Sequence, residues 1–313
     1  MRHKMNKVIV IIGPTAVGKT SLSIELAKQL NGEIISADSM QVFKHLNIGT
    51  AKASLKERDG IVHHMLDIVE PTDSFSVAEY QRIAYEKIEN IHDRGKTPII
   101  VGGTGLYINA LVYGYNFKDK KIDPLLRENL NIAADKYGNE MLLKELAYYQ
   151  PEAAKRLAVN DRKRIIRALE VYLQTGDRIN TGQENKINSK YQFFVFGLHM
   201  DRDLLVDRIN RRVDIMMNEG LIEEVRQLYA NNLLGPVAVQ ALGYKEVIDY
   251  FKGKTSYHEM VNVIKLETRK YAKRQRTWFR RNKEITWLEV HENSQVSNLV
   301  DKIIKQLAGI LIL

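Results

Sequence analysis

Eight consecutive residues carry the strongest chemical signal in this 313-residue chain. Gly13-Pro14-Thr15-Ala16-Val17-Gly18-Lys19-Thr20 fits the pattern G-x-x-x-x-G-K-[ST] at every fixed position. Its two glycines let the backbone wrap an anion, with amide N–H groups turned inward at the positive end of the following helix. Lys19 adds a mobile positive charge, and Thr20 offers a hydroxyl to Mg²⁺. The pattern needs a strand before it and a helix after it. Residues 8–12 (Val-Ile-Val-Ile-Ile) supply the first, and the amphipathic stretch carrying Leu22, Ile24, Leu26 and Leu30 supplies the second. A plain glycine-rich turn would not require that setting.

Bound phosphates serve several chemistries, and the carboxylates decide among them. A P-loop kinase or NTPase places an aspartate after a later apolar strand to hold Mg²⁺. Here residues 98–101 run into Gly102-Gly103-Thr104, and residues 193–198 run into His199-Met200-Asp201, a poor substitute. The well-placed carboxylate is Asp38, behind the apolar run 33–36. In an open α/β sheet the C-terminal ends of adjacent strands share one crevice, so Asp38 is expected to face the reacting end of the bound anion. On position alone it serves equally well as a cap or turn aspartate. Thr104 has the same double reading: Gly-Gly-Thr is flexible enough to approach a ligand and short enough to be a tight turn.

The elements that must position these groups follow from the apolar pattern. Four short β-branched runs, at 8–12, 33–36, 98–101 and 193–198, are nearly continuous in apolar residues, as parallel strands covered on both faces require. Helical patterns lie between them. The expected fold class is α/β, a P-loop NTPase-like three-layer core with a mostly parallel sheet. Residues 284–290 can add a last strand. Between Tyr113 and about Lys190 the rhythm breaks and the composition turns helical and charged. There Asp123-Pro124 starts one helix, Asn160-Asp161 caps another that runs to Thr175 ahead of Gly176, and residues 177–190 read as a polar loop. The expected organisation is a core of residues 1–117 and 191–313, interrupted at 118–190 by a small all-helical insertion.

Lys and Arg number 47 against 38 Asp and Glu, a net charge of +9 whose placement matters more than its size. Residues 269–283 hold eight basic residues and no acidic one, interleaved with Trp278 and Phe279, and a second basic cluster lies at 155–167. On a helix Lys273, Arg276 and Arg280 form one stripe, which fits RNA or a solvated face with an aromatic anchor. The absence of cysteine excludes disulfides, thiolate nucleophiles and Cys-based zinc sites. Residues 8–12 are too few for a signal peptide, no stretch reaches the length of a membrane span, and cytoplasm is expected. Adjacent His63 and His64 diverge too far to read as a metal pair, and Met216 and Met217 read as core.

The motifs, taken together and in order, are "GPTAVGKT" at Gly13, "DSMQVF" at Asp38, "IGTAKA" at Ile48, "HHMLDIVEP" at His63 and "FSVAEY" at Phe75. They continue with "GGTGLYINAL" at Gly102, "NDRKRIIRALEV" at Asn160, "RRVDIMMNEGLIEEV" at Arg211, "QALGYKE" at Gln240 and "KRQRTWFR" at Lys273. In this combination the chain resembles the tRNA dimethylallyltransferases (tRNA isopentenyltransferases) over nearly its whole length. The P-loop alone is unspecific; with "GGTGLY" and "KRQ-x-TWFR" it is specific. Departures are small: Phe43 stands where the family usually has tyrosine, Lys44 replaces a common arginine and Asn47 a common aspartate. A role needing a hydroxyl at 43 is thereby put in doubt. No Cys/His zinc module follows, so the simpler bacterial form is implied.

The resemblance implies transfer of a dimethylallyl group from its diphosphate to N6 of the adenosine beside the anticodon. On that basis residues 13–20 and Arg212 hold the diphosphate, with Mg²⁺ on Thr20, and Thr15 is placed to hydrogen-bond the bridging oxygen. Asp38 is the candidate base, with Thr104 holding the adenine and Ser39, Met40 and Gln41 beside it. The implied contacts to a tRNA anticodon stem-loop are Arg127, Lys163, Arg164, Ile165, Ile166 and Arg167 on the insertion, and Gln240, Gly243, Tyr244 and Lys245. Lys273, Arg274, Gln275, Arg276, Thr277, Trp278, Phe279 and Arg280 complete them. A clamp of this kind works as a monomer. Prenyl transfer to a free adenine nucleotide and an ordinary P-loop kinase are the competing readings.

Overall fold

The structure, a computed structural model, describes residues 6–117, 123–176 and 190–311. The chain forms two compact units, one of residues 1–115 with 187–313 and one of residues 116–186.

In chain order the first unit begins with β1 (Asn6–Ile12), α1 (Lys19–Gln29), β2 (Gly32–Ala37), α2 (Leu55–Arg58) and β3 (His63–His64). It continues with α3 (Val77–Asp93), β4 (Thr97–Gly102) and α4 (Gly105–Val112). The second unit carries α5 (Pro124–Tyr137), α6 (Asn139–Tyr149), α7 (Pro151–Ala154) and α8 (Arg162–Thr175). The chain then returns to the first unit with β5 (Tyr191–Met200), α9 (Arg202–Asn218), α10 (Leu221–Ala230), α11 (Tyr244–Phe251) and α12 (Tyr257–Phe279). β6 (Thr286–Val290) and α13 (Val296–Leu311) end it.

Among the described residues the strands form one sheet in the order β3-β2-β4-β1-β5-β6, every neighbouring pair parallel. β1 shows why both faces must be covered. Its Ile9 and Ile11 pack with Leu22 and Leu26 of α1 and Val300 and Ile303 of α13. Its Val8, Val10 and Ile12 pack with Tyr80, Ala84 and Ile88 of α3 and Ile108 and Leu111 of α4. This is the three-layer α/β arrangement the apolar runs imply. The last strand is longer than its apolar core: β5 extends to Tyr191 and Met200 because β1 pairs along its first half and β6 along its second. β3, unexpected from sequence, is a two-residue edge strand; its His64 Nε2 lies 2.7 Å from the buried Glu33 carboxylate, which Arg94 and Lys96 also hold. No group of three or more His, Cys, Asp or Glu that could hold a metal ion occurs among the described residues.

In the second unit Leu142, Leu146, Ile165, Ile166 and Leu169 form a small core. The Asp123 side chain caps α5 by accepting from the Leu125 amide at 2.9 Å. Asp161 occupies the cap position of α8 but does not cap with its side chain; its carboxylate pairs with Arg164 at 3.2 Å instead. Gly176 ends α8 in the left-handed conformation. The loop expected at 177–190 lies, but for Lys190, outside the described residues.

Candidate active site

The site is set by register. Ile12 of β1 and Ala37 of β2 both stand opposite Gly102 of β4, so three loops leave the sheet at one level. They begin at Gly13, Gly103 and Asp38. With strands about 4.8 Å apart, the P-loop and the Asp38 loop start roughly 10 Å from each other, with Gly103-Thr104 between them.

The P-loop has the conformation of an anion cradle. Ala16 takes a φ of 65° and Gly18 one of 103°, which turns successive amides toward the concave side just before α1. The half-buried Lys19 ammonium donates to the carbonyls of Gly13 (3.0 Å) and Pro14 (2.8 Å). Burial, reinforced by the Arg212 charge and opposed by Asp38, lowers Lys19 to about 7. Arg212, on α9, donates to the Thr15 hydroxyl at 3.4 Å and is itself lowered by burial, against the pull of Glu57 and Asp38. Thr20 is exposed at the start of α1, and no described residue hydrogen-bonds its hydroxyl. A cavity of about 750 Å³ opens here, walled by Gly18, Lys19, Thr20, Arg208, Arg211 and Arg212.

Across the site, one oxygen of Asp38 accepts from the amides of Met40 (2.9 Å) and Gln41 (3.4 Å), a turn that fixes the carboxylate and leaves Oδ2 without a described partner. Thr104 ties the two loops: its amide donates to Ala37 (3.1 Å) and its hydroxyl accepts from the Ser39 amide (3.0 Å). The turn and ligand readings of Asp38 and Thr104 are therefore compatible. Neither strand flanking β1 ends in the strand-terminal aspartate that holds magnesium in a P-loop kinase. β4 ends in glycine, and Asp201 after β5 caps α9 by accepting from the amides of Asp203 and Leu204.

Helix α12 crosses these strand ends. A capping box of Ser256 and Glu259 starts it, and Met260, Ile264, Thr268, Ala272, Gln275 and Phe279 form its buried stripe. Gln275 is a cross-link: its oxygen accepts from the Thr15 amide (2.9 Å) and its amide donates to the Gly103 carbonyl (3.1 Å). One turn earlier Tyr271 brings its hydroxyl to the Thr104 side chain, and burial with the Asp38 charge pushes it well above its ordinary value.

Comparison with known proteins places this arrangement. A family model described as IPP transferase matches residues 41–282. A tRNA dimethylallyltransferase of Bacillus cytotoxicus is 48% identical over 295 residues, covering 94% of this chain and 93% of the relative. The chain belongs to the IPP transferase family. A solved tRNA isopentenylpyrophosphate transferase from Bacillus halodurans superposes with a TM-score of 0.73 at 43% identity, covering 97% of each chain. A eukaryotic dimethylallyltransferase solved while acting on tRNA gives a TM-score of 0.80 at 32% identity, covering 93% of this chain and 75% of that one.

In this chain several residues expected at an RNA surface are instead buried. Gln275 is 5% exposed and fully engaged between two loops. Phe279 and Tyr244 are core residues, Gly243 is buried, and Ile165 and Ile166 belong to the core of the second unit. Arg127 forks onto the buried Glu170, which Arg167 also approaches at 3.4 Å. Exposed are Lys163, Arg164, Arg167, Gln240, Lys245, Lys273, Arg274, Thr277 and Arg280; Arg276 and Trp278 are half-buried. Phe43 is buried, and Met216 and Met217 pack half-buried against the same cluster. Tyr271 was missed as a site residue although it lies four residues before Gln275, the spacing that places both on one helix face.

Gln275→Ala should expose the cross-link's importance. It leaves the Thr15 amide and Gly103 carbonyl unpaired, at a cost of about 1–3 kcal/mol for each buried group left unsatisfied. A urea unfolding midpoint shifted down, with diphosphate affinity reduced, is the expected result.

Proposed function

We propose that the first unit transfers a dimethylallyl group from dimethylallyl diphosphate to N6 of the adenosine next to the anticodon of a tRNA, releasing diphosphate. The carrying observation is the row Ile12–Gly102–Ala37, which sets an anion cradle and a held carboxylate roughly 10 Å apart across one loop. That span accommodates a five-carbon allyl group between a leaving diphosphate and an attacking amine.

The chemistry follows from the groups present. The amine N6 forms its bond to the allylic carbon as that carbon's bond to the diphosphate oxygen breaks. Charge grows on the diphosphate, where the P-loop amides, Lys19 and Arg212 meet it. The Thr15 hydroxyl, already held by Arg212, is placed to donate to the bridging oxygen. The proton on N6 passes to the free Oδ2 of Asp38, whose other oxygen is fixed by two amides. Thr104 and Tyr271 shape the adenine side. The unpartnered Thr20 hydroxyl suits Mg²⁺, which binds through few protein oxygens and completes its shell with phosphates and water. Bound there with the diphosphate, the ion would neutralise leaving-group charge.

The acceptor must be a base drawn out of an RNA loop, which needs cations along the backbone. Lys273 and Arg274 on α12, Arg280 directly after it, and Lys163 and Arg164 on α8 are exposed and suited to this. Replacing Lys163 and Arg164 by glutamate should weaken anticodon stem-loop binding and flatten the slope of log affinity against log salt. An unchanged slope would remove the second unit from the RNA interface. No helix among the described residues is long and apolar enough to cross a membrane, and we place the enzyme in the cytoplasm, acting as a monomer.

The deciding test is the mass of an anticodon stem-loop RNA after incubation with dimethylallyl diphosphate. A gain of one dimethylallyl group supports the proposal. Reaction with free adenine nucleotide alone, or phosphoryl transfer from ATP, sinks it.

A further inference from the structure

The Asp38 carboxylate is held by a chain of contacts that starts far away, at Glu224 on α10. Both oxygens of Glu224 are used. Oε2 accepts from the amides of Asn47 (3.0 Å) and Ile48 (2.9 Å), and Oε1 from those of Ile48 (3.1 Å) and Gly49 (3.2 Å). The Tyr244 hydroxyl donates to Oε1 as well. Three successive backbone amides thus close around one carboxylate, the geometry of an anion nest. Hydrogen bonds to an ionised acceptor are the strong kind.

What the nest holds leads to the site. The segment 38–54 has no regular helix or strand of its own; backbone bonds between Val42 or Lys44 and residues 68–69 pin its first part, and side-chain anchors hold the stretch that follows. Directly after the nest, the carbonyls of Thr50 (3.1 Å) and Ala51 (3.4 Å) accept from the Gln41 side-chain amide. The Gln41 side-chain oxygen accepts from the Ser36 hydroxyl at 3.1 Å, and the Gln41 backbone amide donates to Asp38. Glu224 therefore fixes the nest, the nest fixes the Gln41 side chain, and Gln41 fixes the turn that aims Asp38. The packing agrees: a Cβ on Gly49 would stand 2.3 Å from Tyr244 Cε2, so the loop lies flat on the ring whose hydroxyl completes the Glu224 set.

We propose that Glu224 is a positioning residue for the transfer step, acting through the 47–49 nest and Gln41 to hold Asp38 in its reactive place. The inference rests on the prenyl-transfer reading. Glu224→Gln keeps the shape but turns one accepting oxygen into an N–H donor facing backbone donors, so the nest cannot close. A displacement of order 1 Å costs about 10²-fold in rate, so the single-turnover rate of stem-loop prenylation should fall between ~10- and ~100-fold. Affinity for inorganic diphosphate, measured by calorimetry, should stay at the wild-type value because the cradle does not need Asp38 aimed, and affinity for the stem-loop, measured by filter binding, should stay near it because backbone-neutralising cations dominate that binding. Gly49→Ala, which forces the loop off Tyr244 sterically, should reproduce this split between rate and affinity. Glu223→Gln, an exposed neighbour with the same loss of charge, should leave all three readings unchanged.

A wild-type rate in Glu224→Gln overturns the inference. So does a rate loss matched by lost diphosphate affinity, or a variant that unfolds before assay, since either shows a carboxylate that merely supports the fold. A wild-type chain that fails to prenylate the stem-loop sinks the function itself, a separate result.

Discussion

Asp38→Ala should lower the single-turnover rate of transfer by about 10²–10⁴-fold, the range a positioned general base supplies, while the chain stays folded. The structure makes a sharper comparison available. Oδ1 of Asp38 is an acceptor for the Met40 and Gln41 amides, whereas Oδ2 has no described partner. Asp38→Asn keeps the Oδ1 acceptor and so keeps the turn, but it cannot take the N6 proton. If Asp38 acts as the base, asparagine should be as slow as alanine and more stable than it, the alanine variant losing about 1 kcal/mol for the missing turn contacts. If Asp38 matters only as a turn-former, asparagine should turn over at a nearly wild-type rate. Rapid-quench assays with saturating donor, paired with thermal unfolding of both variants, separate the two roles.

The sequence made some of this arrangement legible and hid the rest for identifiable reasons. The P-loop is legible because eight adjacent residues carry its whole geometry, including the left-handed conformations at Ala16 and Gly18. The strands are legible because burial on both faces leaves continuous apolar runs, and β1 divides its side chains cleanly between two layers. Asp38 and Thr104 could be placed only as far as their strand ends, since whether they meet depends on β4 lying between β2 and β1. Gln275 was misplaced at the RNA surface because it sits inside a basic run. The helical phase of Thr268, Ala272, Gln275 and Phe279 puts it on the buried stripe instead. Ile165 and Ile166 repeat the lesson in a shorter motif, where basic neighbours are exposed and apolar ones form the core. Glu224 leaves no local signal at all. Its backbone partners lie about 176 residues earlier in the chain, and an acidic residue on an amphipathic helix reads as surface until the loop it holds is seen.

Replacing Lys19 by methionine should abolish most diphosphate affinity and, with it, the pH dependence this lysine carries. In the site the Lys19 ammonium is lowered from an ordinary 10.5 to about 7 by burial and by Arg212. The sign of its effect on binding follows. Below pH 7 the lysine is already charged and meets the anion directly. Above pH 7 it is increasingly neutral, while a bound diphosphate favours the charged form and raises its pKa. Binding then takes up a proton, and affinity falls by as much as tenfold per pH unit above 7 until the pKa of the bound state is reached. The same depression acts on folding in the opposite sense. Between pH 7 and 10.5 the unfolded chain binds more protons at this lysine than the folded one, so this contribution raises stability with pH across that window. Calorimetry of inorganic diphosphate at pH 8, in two buffers of different ionisation heat, measures the uptake directly, and the ligand's own ionisation cancels between wild type and Lys19→Met. Greater proton uptake by the wild type is the expected result; equal uptake would mean that Lys19 enters the complex already charged and that its burial does not tune donor binding.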